Sequence, residues 1–263
     1  MLFSVLRSEG QQVNMLNISC SANKKASHYA FIDYLRGIAL LLMFVYHFCF
    51  DLNYYQFIQT NFYNNPLWIY FRVIIVSLFL WLVGISLWLA ASKEINLPRY
   101  LTRLIFLAIS ALLVSASSYI TFPSSYIYFG ILHFILLASI VGLAFVRLYY
   151  ANLILGIALI FIGIFISHSV FNHNNLQWFG LMTYKPKTED YVPFLPWFGV
   201  VLLGIFSAQF IFKKGHFKIF KYWQDTSRHQ QLIVCMGRHS LLIYLLHQPV
   251  FMGILFIFSL MLT

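Results

Sequence analysis

The chain has 263 residues, of which 61% are hydrophobic and 9% are charged, and its formal net charge is +10. A soluble domain carries about a quarter charged residues, so this composition excludes an ordinary soluble protein and indicates a polytopic membrane protein. The positive residues cluster in alternate loops, which is the orientation signal of membrane proteins, so the net charge does not indicate nucleic-acid binding.

The N-terminal residues differ in composition from the rest of the chain. Residues 1–27 are polar and lack the apolar core of a signal peptide. We therefore predict a flexible cytoplasmic tail over residues 1–27 and a transmembrane domain over residues 28–263. The three cysteines, Cys20, Cys49 and Cys235, are scattered and form neither a metal-binding pattern nor a clear disulfide pair, so we expect no metal.

Apolar segments long enough to cross a bilayer follow the tail. They predict an all-α bundle of about seven transmembrane helices. The predicted spans are Ala30–Phe50, Leu67–Ala91, Tyr100–Phe122, Ile127–Val146, Tyr150–Val170, Phe194–Phe212 and Leu232–Leu262.

The charges in the loops predict the orientation of this bundle. By the positive-inside rule, the N-terminus is cytoplasmic and the C-terminus is outside. Lys185 and Lys187 are the exception, because this topology places them outside, where Glu189 and Asp190 offset them. The residues that carry the prediction are Lys24, Lys25, Lys93, Arg99, Arg103, Arg147, Lys213, Lys214, Lys218, Lys221 and Arg228.

The first span carries polar residues near both ends of one helix face. Asp33, Arg36, His47 and Asp51 fall within about 40° of a common line, with Arg36 and His47 roughly 16 Å apart along the axis. Charged groups in a bilayer are costly, so this face should line protein or a water-filled cavity. We interpret His47 as a general base whose ring Asp51 could orient. The alternative is a hydrogen-bonded structural histidine.

The stretch FIDYLRGIALLLMFVYHFCFDL, which contains these residues, resembles the first helix of the acyltransferase-3 type transmembrane acyltransferases. Their motif is an Arg and a catalytic His at this spacing. The stretch is closer still to the bacterial branch of the heparan-alpha-glucosaminide N-acetyltransferase catalytic-domain family. Lysosomal relatives carry Asn at the position of His47 and a catalytic His in the following loop, but this chain has no His between Phe48 and Ser92. The resemblance to the lysosomal enzymes therefore supports fold and donor more than catalytic detail.

Two further stretches resemble motifs of the same family. YFGILH, at residues 128–133, ends in His133, which we interpret as a site residue, with helix–helix hydrogen bonding as the alternative. TEDYVPFLPWFG, at residues 188–199, is a proline-stiffened approach to a helix. It would hold Asp190 and Tyr191 at the outer end of the helix bundle, where the acceptor would arrive.

The third further match is MGRHSLLIYLLHQP, at residues 236–249. It places Ser240, Tyr244 and His247 within about 40° of one another on a helix. We interpret His247 and Gln248 as bonding to neighbouring helices. The resemblance and Gly237 together predict that the last span begins with a bent or interfacial turn.

Arginines and small residues complete the candidate set. Arg36, Arg99, Arg103 and Arg238 would lie on the cytoplasmic side, where guanidinium groups could hold the phosphates of coenzyme A. Arg99 and Arg103 would otherwise serve only as orientation signals. Arg72 either snorkels outward or binds an anionic acceptor. Gly84 and Ser86 in the second span are interpreted as packing residues.

The resemblance implies a membrane-embedded acyltransferase that moves an acetyl group from cytoplasmic acetyl-coenzyme A to a hydroxyl or amine of a glycan-type acceptor at the outer face. The donor's flexible arm would run along the apolar face between Arg36 and His47. Expected partners are acetyl-coenzyme A, the acceptor and the lipid bilayer of a bacterial cytoplasmic membrane, without nucleic acid. The oligomeric state stays open, a homodimer included.

Two other classes compete with this interpretation. Polar helix faces also mark the substrate pathway of a transporter or of a flippase for a glycan or lipid-linked substrate. The chain, however, shows neither an inverted repeat nor matched Gly/Pro-broken segments. A non-catalytic assembly partner could also keep the fold.

Overall fold

The computed structural model describes residues 27–92, 95–188, 190–213 and 227–262, so the predicted tail lies outside the described residues except for Ser27. These residues form helices and connecting loops, and no strand occurs among them. The helices are α1 Ser27–Tyr54, α2 Pro66–Ala91, α3 Leu97–Thr121, α4 Ile131–Gly142, α5 Tyr150–Phe165, α6 Phe194–Ala208, α7 Arg228–Arg238 and α8 Ser240–Leu262.

Five helical segments are long and apolar enough to cross a membrane: Ala30–Tyr54, Pro66–Ala91, Leu97–Thr121, Phe194–Lys213 and Ser240–Met261. The fourth consists of α6 and a π-helical turn, Gln209–Lys213. Two shorter apolar segments, Ile131–Phe145 and Tyr150–Phe165, occupy the remaining predicted spans. The all-helical membrane class is therefore confirmed, whereas the count of seven spans stays a prediction.

Local sequence explains several helix boundaries. Asn65 precedes α2, and its side chain accepts a hydrogen bond from the Leu67 amide, while Pro66 occupies the first turn. Asn96 caps α3 in the same way, through the Arg99 amide. The last predicted span is divided at His239 into α7 and α8, in agreement with the predicted bend near Gly237.

Glycines bring three pairs of helices into close contact. A Cβ atom at Gly84 of α2 would collide with backbone of α6, and one at Gly204 of α6 would collide with backbone of α2. Gly37 of α1 and Gly237 of α7 make the same kind of approach. Gly199 of α6 packs against backbone of α5. Small residues at helix interfaces are how membrane bundles gain close packing.

Helices α1 and α8 run side by side in the same direction. The Gln248 amide donates to Asp51, and further along both helices the Tyr55 hydroxyl donates to the Met252 carbonyl oxygen. The polar faces predicted separately for the first and last spans are thereby brought together at one interface.

Candidate active site

Two arginines share one carboxylate at the N-terminal end of α1. Nη1 of Arg36 donates to Oδ1 of Asp33 at 2.7 Å, and Nη2 of Arg36 donates to the Ser86 hydroxyl at 2.5 Å. Nε of Arg238 lies 3.5 Å from Oδ2 of Asp33. The close approach of α1 and α7 at Gly237 places Arg238 beside Asp33. Ser86, interpreted from the sequence only as a packing residue, is therefore also a partner of Arg36.

Arg36, Arg103 and Arg238 form what we name the arginine cluster. Arg103 of α3 lies within electrostatic reach of Arg36. Three guanidinium groups against the single Asp33 carboxylate leave a net positive charge. The side chains of Arg36 and Arg238 keep 28% and 33% of their surface exposed, so an anion can reach them. Arg99 is exposed in the first turn of α3, and no described contact joins it to the cluster.

Two histidine rings meet toward the other end of α1. The ring centroids of His47 and His247 are 5.0 Å apart in an edge-on arrangement. Phe44 stacks on His247 at 5.8 Å, and Tyr46 packs edge-on against His47. The sequence predicted His47 here, but it did not predict that His247 would be its neighbour.

The hydrogen bond of His247 determines which ring nitrogen carries its proton. Nδ1 of His247 lies 2.5 Å from the carbonyl oxygen of Tyr244, in the preceding turn of α8. A carbonyl oxygen only accepts, so Nδ1 must be the protonated nitrogen and Nε2 carries a lone pair. Nε2 is buried and has no hydrogen-bond partner among the described residues. The expected bond of His247 to a neighbouring helix is thus replaced by a bond within α8.

Asp51 is almost completely buried and pairs with α8 rather than with His47. Nε2 of Gln248 donates to Oδ1 of Asp51 at 2.7 Å. Oδ2 of Asp51 and Oε1 of Gln248 are buried without a partner in the described part of the chain. No described hydrogen bond joins Asp51 to His47, so the orienting role of Asp51 stays a prediction. The expected bond of Gln248 to a neighbouring helix is present.

His133 has both ring nitrogens engaged at the start of α4. Nδ1 accepts from the Gly130 amide at 3.3 Å, so Nε2 carries the proton and donates to the Ser115 hydroxyl at 3.2 Å. Ser115 in turn donates to the Ile127 carbonyl oxygen at 2.5 Å. His133 therefore caps α4 and joins it to α3, and no described contact links it to His47.

We expect that replacing His133 by Ala lowers stability more than turnover. The change leaves the Gly130 amide without its acceptor, which costs about 1–3 kcal/mol when the group is buried. Thermal unfolding of the detergent-purified variant measures the loss. His173→Ala, in an exposed loop, is the control. A turnover defect of His133→Ala as large as that of His47→Ala, with unchanged unfolding, would contradict this role.

Asp190 also binds the first turn of α4. Its Oδ2 accepts from the Ile131 amide at 2.8 Å. Burial raises the pKa of Asp190, whereas the Ile131 hydrogen bond and the charge of Arg72 act in the opposite direction. Arg72 also lies within electrostatic reach of Tyr46, the residue before His47. Arg72 is therefore within electrostatic reach both of Asp190 and of the residue before His47.

Two surface cavities adjoin this end of the bundle. Tyr191, whose hydroxyl donates to the Gln177 carbonyl oxygen at 2.5 Å, lines a cavity of about 230 Å³ together with Lys185. A larger cavity of about 510 Å³ lies in the loop after α1 and is rich in amide side chains such as those of Gln56 and Gln59. Tyr63 lines the larger cavity, and the ammonium group of Lys185 lies 5.5 Å from its ring centroid. The two cavities are therefore neighbours.

The α1 face between the arginine cluster and the histidines is tightly packed. Leu40 and Met43 on this face are buried in a core cluster with Phe62 and Ile75. A flexible chain can follow this face only if such side chains rearrange. Among the described residues, no group of three potential metal ligands occurs.

Comparison with known proteins gave one family. The family model described as heparan-alpha-glucosaminide N-acetyltransferase, catalytic, matches residues 28–249. No curated protein and no solved structure gave a match. The matched range contains the arginine cluster, both facing histidines, Asp51 and Asp190.

Proposed function

Because the chain belongs to the heparan-alpha-glucosaminide N-acetyltransferase catalytic-domain family, we propose that it transfers an acetyl group from cytoplasmic acetyl-coenzyme A to a hydroxyl or amine of a glycan-type acceptor. The family is one of membrane acetyltransferases that use acetyl-coenzyme A in general. The observation that supports the proposal is the distribution of polar groups. Arginines able to bind phosphate lie at one end of α1, and paired histidines lie toward its other end.

The arginine cluster is the proposed site for the charged end of the donor. Guanidinium groups bind phosphates through charge-assisted and often bidentate hydrogen bonds. Asp33 and Ser86 hold Arg36 in place before the donor arrives. Arg99, one turn before Arg103 on α3, would extend the positive surface toward the membrane face. Leu40 and Met43 would rearrange to let the acyl-bearing arm reach His47.

His47 is the proposed proton carrier at the acyl group. As the acceptor oxygen or nitrogen attacks the thioester carbonyl carbon, the new bond forms and the carbon–sulfur bond breaks. The acceptor loses one proton and the thiolate gains one, and His47 moves the proton between them. Asp51, with one oxygen bonded to Gln248, is proposed to stabilise the protonated ring.

Asp190, Tyr191 and Arg72 are the proposed acceptor contacts. The Asp190 carboxylate and Arg72 are close enough to interact, and Tyr191 lines a cavity on the same side. Burial raises the pKa of Tyr191, so its hydroxyl stays protonated at neutral pH. Together, Asp190, Tyr191 and Arg72 offer both hydrogen-bond donors and acceptors to a polyhydroxylated ligand.

Release of coenzyme A by the purified protein in lipid nanodiscs tests the proposed function. With acetyl-coenzyme A as donor and glucosamine as probe acceptor, we expect thiol release above the rate of empty nanodiscs. Mass spectrometry of the acceptor would identify the acetylated product. Transport of a glycan by reconstituted vesicles, without any thiol release, would instead favour the transporter class.

The proposed orientation is a cytoplasmic N-terminus and an outside C-terminus in a bacterial cytoplasmic membrane. It rests on the positive loop residues, of which Lys213 and Arg228 flank the segment before α7. Reporter fusions after Lys221 and at Thr263 should therefore report opposite sides of the membrane. Both reporters on one side would overturn the seven-span arrangement.

A further inference from the structure

The proposed reaction needs a group that accepts a proton from the nucleophile and a group that gives one to the leaving thiolate. A single histidine can do both only by turning or exchanging its proton between the two steps. The α1–α8 interface holds two imidazoles with ring centroids 5.0 Å apart. Two such rings can divide the tasks.

His247 is oriented as a base before any ligand binds. The Tyr244 carbonyl oxygen fixes the proton on Nδ1, which leaves the Nε2 lone pair as the acceptor. Stacking on Phe44 fixes the plane of the ring. The residue is 7% exposed, and Nε2 has no partner among the described atoms. A carbonyl oxygen here does what the carboxylate does in a catalytic triad, since it selects the tautomer.

The α1–α8 interface that holds His247 contains further buried acceptors. Oδ2 of Asp51 and Oε1 of Gln248 are, like Nε2 of His247, buried acceptors without partners in the described residues. Each unsatisfied buried polar atom costs about 1–3 kcal/mol, so such a group is unusual unless something binds to it. A nucleophile that brings an O–H or N–H group supplies the missing donor. Hydroxyl and amine share this chemistry.

We propose that His247 is a second catalytic residue, the base that deprotonates the nucleophile, and that His47 is the acid that protonates the thiolate. This division of roles rests on the proposed function. The nucleophile's proton passes to Nε2 of His247 as its bond to the acetyl carbon forms. Protonated His247 passes this proton to the neutral ring of His47, and the thiolate takes it from His47 as the carbon–sulfur bond breaks. Both rings are then neutral again, and the nucleophile's proton ends on the thiol.

Glutamine variants separate this role from a structural one. We expect His247→Gln to lower thiol release by about 10²–10⁴-fold, because a proton carrier is lost. Coenzyme A binding should not change, since the arginine cluster lies at the other end of the interface. His247→Gln combined with His47→Gln should be little worse than either alone, as residues that act as one unit give non-additive losses. His239→Gln, at the exposed break between α7 and α8, is the control.

Three outcomes of the turnover assay overturn different statements. If the unsubstituted protein releases no coenzyme A, the proposed function fails. If it does release coenzyme A and His247→Gln keeps a near-normal rate, only the role of His247 fails. Losses that multiply in the double variant show two independent residues and overturn the proton exchange between the rings.

A spectroscopic measurement tests the same inference without turnover. Nitrogen NMR of histidine-labelled protein in nanodiscs distinguishes a protonated ring nitrogen from one with a lone pair. We expect a resonance from neutral imidazole with its proton on Nδ1, and we expect this resonance to disappear in His247→Gln. A His247 signal with the proton on Nε2 would overturn the proposal, because that nitrogen could not accept.

Discussion

Replacing His47 by Ala should lower turnover of acetyl-coenzyme A by about 10²–10⁴-fold, the usual contribution of general acid–base catalysis. Coenzyme A binding should stay intact, because the arginine cluster lies roughly 16 Å away along α1. Asp51→Asn should lose less than His47→Ala, since Asn keeps an oxygen that can accept the bond from Gln248. Rates of thiol release and binding calorimetry on the same preparations provide both quantities.

The rival explanation is a structural His47 that only packs against Tyr46 and His247. His47→Gln decides between them, because glutamine keeps a polar side chain of similar length but cannot cycle a proton. A near-normal rate in His47→Gln would remove His47 from the proton transfer. His247 would then be tested next, ahead of His133, whose two ring nitrogens are already engaged in capping α4.

The local features of the fold could be predicted from sequence because their causes are local. Pro66 and Asn65 mark the start of α2, and the length of an apolar run shows which segments can cross a bilayer. The break after Arg238 was predictable because the last apolar run exceeds one membrane thickness. The exact number of spans was not, since α4 and α5 are shorter than the runs that predicted them.

The partners of the site residues depend on which helices are neighbours, and helical periodicity within one segment does not contain that information. Asp51 lies one turn from His47 on α1, yet the side chain that reaches it is Gln248 of α8. Ser86 bonds to Arg36 because α1 packs beside α2. The sequence features that indicated His247 were the polar face of α8 and the resemblance of residues 236–249 to a family motif. The partner of His247, His47, depends on the packing of α1 against α8.

Replacing Arg36 by Ala should weaken coenzyme A binding by about 10–100-fold, because a hydrogen bond to a charged group contributes about 1.5–3 kcal/mol. The fold should tolerate the change, since Arg238 still pairs with Asp33. Arg36→Lys should restore only part of the affinity, because an ammonium group lacks the planar fork that binds phosphate oxygens in pairs. Calorimetry with coenzyme A on nanodisc samples gives the dissociation constants.

Arg147→Ala is the matched control for the Arg36 variant. Arg147 is an exposed arginine that the positive-inside rule assigns to the same side of the membrane. Both variants remove one positive charge, so a general effect of charge on an anionic ligand would weaken binding equally. A loss confined to Arg36→Ala would support a specific phosphate contact. Unchanged coenzyme A binding in a folded Arg36→Ala variant would place the donor elsewhere. Arg99 and Arg103 on α3 would then be substituted together, since they lie one turn apart at the membrane face.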